Sequence, residues 1–316
     1  MNKDYKDKLL NPGHSACAGC GQLLAVRHVM DSFGPNTIVA GATGCLEVTT
    51  TKYGESAWGV PYIHSLFENP SAVASGILAG LNYKKSFKAG ALTGTDPTNP
   101  TILTNPTDPN VVVLAGDGST FDIGFGLLAG MFERKENITY VCFDNEGYQN
   151  TGAQSSGSSP FGSNTTTTPI GRESFGVDLD KKNMISFALS QNVPYVATAS
   201  VANIIDLKNK IEESKKYIGP KYIQVLVPCV PGWGIDAKDT IKIAKLAVET
   251  GFYPIIEYAN GILTKKTKIK NPAPKIEEYL KLQARFKHLF KKENGAELIA
   301  KLQSICDENI KKYELG

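Results

Sequence analysis

Two sets of residues in this chain of 316 have the types and spacing to do chemistry. The first is Gly116-Asp117-Gly118, followed after 26 intervening residues by Asn145 in the run Asp144-Asn145-Glu146-Gly147. Glycines on either side of a carboxylate let a ligand come close to the backbone. One carboxylate with a few neutral oxygens suits a hard cation such as Mg2+, which fills its other positions with phosphate and water. A lone G-D-G triplet also describes an ordinary turn; the second set of oxygens is what favours a metal. The other set is cysteine. Cys17, Cys20, Cys45 and Cys229 fall in loops or at strand ends rich in glycine and proline, where thiolates can converge without breaking an element. Their C-x2-C-x24-C spacing with a distant fourth fits neither a zinc ribbon nor a bacterial ferredoxin. Zinc and an iron–sulfur cluster stay open on spacing, with a redox dithiol behind them. Cys142, inside an apolar run, and Cys306, inside a helical one, read as buried hydrophobes.

These groups need elements to hold them. Val111 to Ala115 is short, apolar and β-branched, a buried strand. The acidic turn breaks it, and Ser119 or Thr120 can cap a helix through Phe121, Phe125, Leu128 and Phe132. Ile138 to Phe143 is a second strand, so polar residues cluster where both strands finish, the edge at which open parallel sheets bind ligands. Upstream, Leu23 to Met30 forms a helical face, Thr37 to Ala40 a strand, Thr50 to Asn69 a mixed aromatic segment, and Pro70 to Tyr83 a helix rich in small residues. Lys84 to Asn110, with its prolines, predicts a long loop. Ser155 to Pro169 is either a flexible linker or a loop that orders over a cofactor. Helices over Lys181–Gln191, Val201–Tyr217 and Ala237–Thr250 alternate with strands Tyr195–Ala199 and Tyr222–Val227, which predicts a doubly wound, mostly parallel α/β sheet. Helices over Ile276–Phe290 and Gly295–Tyr313 end the chain.

Several stretches resemble one family. G-D-G, 26 residues, then Asn is similar to the diphosphate motif of thiamine diphosphate enzymes. DNEGYQNTGAQSSGSSPFGSNTTTTP, with HSACAGCG, ATGCLEV, FENPSAVASG and PCVPGW, resembles the beta subunit of pyruvate synthase-type 2-oxoacid:ferredoxin oxidoreductases over nearly the whole chain. The resemblance implies the diphosphate-type thiamine fold with an N-terminal cysteine loop and a C-terminal helical extension. It divides the chain into a cofactor domain (1–250) and an extension (251–316) that packs on the body or a partner. It implies thiamine diphosphate, Mg2+ held by Asp117, Asn145 and the Gly147 carbonyl, and one four-iron, four-sulfur cluster on Cys17, Cys20, Cys45 and Cys229. Gly116, Gly118, Ser119, Glu146, Tyr148, Asn150 and Thr151 correspond to the cofactor's surroundings, with Asn150 nearest the substrate and assigned a catalytic role. Gln22 and Cys45 are further contacts, although Gln22 stands where some relatives carry an acid. The implied reaction is oxidative decarboxylation of a 2-oxo acid, with electrons leaving through the cluster to ferredoxin and coenzyme A taking the acyl group. An alpha subunit with the pyrimidine-binding domain, and gamma and ferredoxin-like delta subunits or their fusion, are implied partners. The glutamate and arginine that complete the site belong to the alpha subunit, so this chain alone is expected to be inactive.

Pyruvate-type relatives commonly read NEAYMNTGIQRS where this chain has Gln149, Ala153 and Ser155. The change makes the lining more polar, so oxalate, oxidised without coenzyme A, stands beside pyruvate as substrate. A non-catalytic zinc-binding assembly subunit is the reading from another class, and a thiamine decarboxylase or synthase without redox role a third. Asn145 and Asn150 can also be turn caps; His14 and His64 read as structural, and Trp58 and Trp233 as core. The balance of 34 basic against 31 acidic residues, +3 in all, gives no footprint for nucleic acid. No 18-residue apolar run or signal-peptide core occurs, so no membrane partner and a cytoplasmic location are expected. Six cysteines in so long a chain do not make a disulfide scaffold.

Overall fold

The computed structural model describes residues 8–88 and 108–316. The N-terminal lead-in before residue 8 and most of the loop expected over Lys84–Asn110 lie outside the described residues. Strands β1 (Thr37–Gly41), β2 (Tyr62–His64), β3 (Asn110–Gly116), β4 (Thr139–Asp144), β5 (Tyr195–Ser200), β6 (Lys221–Leu226), β7 (Ile256–Ala259) and β8 (Ile262–Lys266) form one sheet. Their order is β2-β1-β3-β4-β6-β5-β7-β8. The first six in that order run parallel, and β7 and β8 add to β5 as an antiparallel hairpin. The helices are α1 (Gly21–Phe33), α2 (Cys45–Thr50), α3 (Pro70–Lys88), α4 (Phe125–Glu133), α5 (Met184–Ser190), α6 (Ile204–Ser214), α7 (Val230–Trp233), α8 (Thr240–Glu249), α9 (Ile276–Leu280) and α10 (Gly295–Tyr313).

The apolar runs form strands buried on both sides because helices cover each face. Val112, Leu114, Val141, Phe143, Ile223 and Val225 face α1 and α6. Their alternating neighbours Val111, Val113, Ala115, Tyr140, Cys142 and Tyr222 face α3, α4 and α5. A third core joins Leu226 and Trp233 to Tyr279, Phe286, Leu302 and Cys306, so the segment after residue 250 shares its packing with the body. From β1 the chain moves outward to β2, then returns across β1 to β3. This reversal opens a crevice beyond the carboxyl ends of β1 and β3, the usual ligand position in such sheets.

Four local expectations need correction. Neither Ser119 nor Thr120 caps a helix: their hydroxyls donate to Phe67 O (2.8 Å) and Gly116 O (2.7 Å). Gly118–Ile123 is instead a π-helical turn, a form that often marks functional sites, and α4 starts after Gly124. The helix expected from Lys181 begins at Met184, because Asn183 caps it by accepting from Ser186 N (2.9 Å) while both lysines reach for carboxylates. The segment Ile276–Phe290 is α9 followed by a 3-10 turn over Ala284–Phe290, separated where Gln283 adopts extended backbone. Within Thr50–Asn69, the short β2 forms at the sheet edge.

Candidate thiamine and thiolate site

The loops after β1, β3 and β4 meet around a cavity of about 230 Å3. Gln22, Cys45, Gly116, Asp117, Gly118, Asn145, Gly147, Tyr148, Asn150 and Thr151 line it. Ser119 and Glu146 do not: Ser119 turns to Phe67, and Glu146 points away into an ion-pair network. Gly118 is required by packing, since a Cβ there would come within 2.6 Å of the Tyr148 ring.

Asp117 is buried and organises the loop after β4. Its Oδ1 accepts from Asn145 N (3.2 Å), and its Oδ2 accepts from Gly147 N (2.8 Å) and Ser156 Oγ (2.5 Å). Burial, then the neighbouring Asp144 charge, push the Asp117 carboxyl up to about 8. The side-chain oxygen of Asn145 lies 2.9 Å from Asp117 Oδ1 and 2.8 Å from the Gly147 carbonyl oxygen. Three acceptors so close need a proton or a cation between them. Turning the Asn145 amide over supplies the proton; a bound divalent ion supplies the charge. An octahedral ion with Mg2+ bond lengths sets adjacent ligand oxygens about 2.9 Å apart, so the triad has the right edge length.

Behind this triad lies a buried charge network. Asp144 accepts from Lys181 Nζ (2.6 Å) and Gln224 Nε2 (2.8 Å), and from Ser158 Oγ. Glu146 sits at φ +60°, a left-handed conformation costly for a non-glycine residue. It is held there by Lys181 (3.2 Å) and Arg285 (2.6 Å). Burial opposes the Lys181 charge, but Asp144 and Glu146 hold its ammonium above the ordinary lysine range. Arg285 stacks 3.9 Å from the Trp233 ring centroid, and Trp233 Nε1 donates to Asn145 O (2.7 Å). Ser156, Ser158, Lys181, Gln224 and Arg285 escaped the sequence reading. The serines lie in the Ser155–Pro169 run, which is ordered into the floor beneath the acidic loop.

Cys17, Cys20, Cys45 and Cys229 line a second cavity of about 280 Å3. Gln22, Cys45, Val48, Asn145, Gln149 and Asn150 border both cavities, so the two share a wall. Gly21 N donates to Pro228 O (3.3 Å), drawing the first cysteine loop against the Cys229 loop. Desolvation raises the Cys20 thiol and pushes Cys45 up to about 11 and Cys229 to about 12, with neighbouring thiols adding to the shift. Binding a metal centre here must therefore displace protons. Among the described residues no three His, Cys, Asp or Glu are close enough to hold a single ion. Cys142 and Cys306 are core residues. His64 Nε2 lies 2.7 Å from Thr43 Oγ1 and borders neither cavity. Trp58 and Trp233 are both buried.

Residues 42–225 match the family described as "Thiamine pyrophosphate enzyme, C-terminal TPP binding domain". Fold and site thus define a thiamine pyrophosphate-binding protein. The chain is 47% identical to pyruvate synthase subunit PorB of Methanosarcina barkeri, covering 100% of both. It is 39% identical to ketoisovalerate oxidoreductase subunit VorB of Pyrococcus abyssi, covering 92% of this chain and 91% of that one. A solved 2-oxoglutarate:ferredoxin oxidoreductase from Magnetococcus marinus shares the fold, with TM-score 0.54, 23% identity, and coverage of 77% of this chain and 79% of that one. The chain belongs to the 2-oxoacid:ferredoxin oxidoreductase family, as a subunit of the pyruvate synthase PorB kind. Among the described residues no helix is long and apolar enough to cross a membrane.

Proposed function

We propose that this chain is the thiamine-binding subunit of a pyruvate:ferredoxin oxidoreductase, with Mg2+ at the Asp117 triad and a four-iron cluster on Cys17, Cys20, Cys45 and Cys229. The shared wall between the two cavities carries this reading, because it sets the thiol group next to the cofactor crevice. When bound, thiamine diphosphate supplies the electron sink for decarboxylating a 2-oxo acid, and the cluster supplies one-electron acceptance. The chain's own residues position these groups. Asp117 and the Gly147 carbonyl would hold the metal, Gly116, where a Cβ would meet open space, would leave room for the diphosphate, Gly118 lets the Tyr148 ring pack beside it, and Asn150 borders both cavities. Residues 251–316 serve as an extension that braces this loop through Arg285.

Among the described residues, the lining of the thiamine cavity contains no Lys, Arg or His, and its one carboxylate is Asp117. No cation there can bind a substrate carboxylate and no free acid or base remains. An alpha subunit therefore supplies both, and gamma and delta subunits carry electrons onward to ferredoxin. Pyruvate is favoured over oxalate by relatives that are pyruvate synthase subunits over the whole chain; of the departures from the pyruvate-type string, Gly147 and Gln149 border the cavities. Gln149 Nε2 already donates to Asn145 O (2.9 Å), and its buried oxygen, an acceptor, has no partner. The amide's second N–H proton remains a donor, so Gln149 alone does not reject a second carboxylate.

The complex purified anaerobically should be brown, reduce ferredoxin with pyruvate and coenzyme A, and show no turnover as this chain alone. A colourless complex, or faster reduction with oxalate than with pyruvate, overturns the assignment. Ser156→Ala removes a donor to Asp117 without touching the cofactor. It should weaken Mg2+ binding in the presence of thiamine diphosphate by about 10- to 100-fold, the usual effect of losing a partner behind a metal ligand. Calorimetric Mg2+ titration checks this.

A further inference from the structure

The thiamine and thiolate cavities lie where strands of the sheet end. At the opposite edge, where β3, β4 and β6 begin, lies another cavity of about 430 Å3, larger than either. That volume falls within the roughly 300–1,000 Å3 typical of small-molecule sites. Charged and amide side chains take up much of its wall, among them Asp108, Asn110, Asn137, Lys215 and Lys221. Such a wall suits a polar guest.

The charges around Lys221 are answered and its own is not. Lys215 pairs with Glu212 at 2.7 Å, and Asp108 with Lys85 at 2.8 Å. Lys221 is only 5% exposed, and burial, with no neighbouring charge set against it, pushes its ammonium down to about 7. Its Nζ donates to Asn137 Oδ1 (2.6 Å), an oxygen that also accepts from Gly219 N (3.3 Å). An ammonium carries three donors, so two remain for a guest in the cavity. Lysine is almost never so buried without a partner, because desolvating an unpaired charge is costly. An apolar side chain of similar length would fill the place without that penalty. What justifies lysine here is a negative charge that comes and goes.

We propose that Lys221 anchors a binding site for a small oxyanion, a phosphate or carboxylate group, at the amino edge of the sheet. The anion takes the two free ammonium donors and, as the missing partner, holds the amine protonated. The site does not depend on the thiamine reading given above. Lys215, Asp108 and Tyr217 are the other titratable groups in the wall, the first two already paired. The test is calorimetric titration of the full chain in its complex, with sulfate as the probe for phosphate and acetate for carboxylate. Neither probe changes charge across the neutral range, so any pH dependence belongs to the protein. One site per chain is expected, and affinity should fall roughly 10-fold from pH 7 to pH 8.5 as the lysine loses its proton. Tighter binding of sulfate assigns the phosphate class, and tighter binding of acetate the carboxylate class. Lys221→Met should lose the site yet melt at the same or a higher temperature, since it removes an unpaired buried charge. In the wild type an amine-reactive ester should label Lys221 at pH 7, read by mass spectrometry, and the bound anion should slow that labelling. Binding of neither anion overturns the proposal, as does binding that survives unchanged in Lys221→Met. If that variant fails to fold, protection of Lys221 from labelling decides, and its absence overturns the site.

Discussion

Asp117→Asn should lower affinity for Mg2+-thiamine diphosphate by about 10²- to 10³-fold, equivalent to roughly 3–4 kcal/mol, within the cost of removing one partner of a buried charge pair. Asp117 is the single carboxylate in the oxygen triad, so nothing nearby replaces its charge at the metal. The same charge is unwelcome without metal: burial and Asp144 already push its carboxyl up to about 8. The substitution removes that desolvated charge and also takes an acceptor from Gly147 N and Ser156 Oγ. These effects oppose each other, so metal-free stability should change by only about 1 kcal/mol. A melting temperature that wild type raises on adding Mg2+ and thiamine diphosphate, and the variant does not, is the expected result. Ligand-induced stabilisation equal to wild type in Asp117→Asn would place the metal elsewhere.

What the sequence made legible divides along contact range. β3 and β4 could be read because each is a short β-branched run ending in a polar turn, and a strand buried on both faces needs little else. The oxygens proposed to hold the metal could be grouped because their two turns terminate adjacent parallel strands, which fixes their spacing. Cys229 could be grouped with the other three only by its glycine- and proline-rich surroundings and the family resemblance. The π-helical turn was hidden because Ser119 bonds a carbonyl 52 residues away, which local capping rules do not anticipate. β2 was hidden because three residues at a half-exposed edge carry no periodic signal. The charge network was hidden for the same reason: Glu146 and Arg285 are 139 residues apart. The Ser155–Pro169 run shows how composition misleads. Its serines give it the look of a linker, yet Ser158 and Ser163 are buried and their hydroxyls are engaged.

Arg285 tests whether that hidden network matters to the cofactor it never touches. Arg285→Met keeps much of the side chain's length but leaves Glu146 Oε2 without its 2.6 Å partner. Both side chains are buried, so breaking the pair should cost about 3 kcal/mol, the lower end of the usual range because Lys181 still faces Glu146 Oε1. For a chain of this size that corresponds to a fall in melting temperature of roughly 5–10 °C. The loss should also reach the metal. Glu146 stands between Asn145 and Gly147 in a left-handed conformation that relaxes when its ion pair is gone. Trp233 meanwhile loses the guanidinium stacked on it while still donating to Asn145 O. Both changes loosen the oxygens that must converge on the ion, so Mg2+ affinity should drop about 10-fold or more. Combining Arg285→Met with Glu146→Gln separates the causes. If an unpaired carboxylate is the fault, the double variant should recover much of the stability lost in Arg285→Met, giving a coupling energy above about 1 kcal/mol. Additive losses would instead mean that Arg285 acts through its other contacts, the stack on Trp233 and its bonds to Gln283 and Tyr279, and the acidic loop would owe its shape to Lys181.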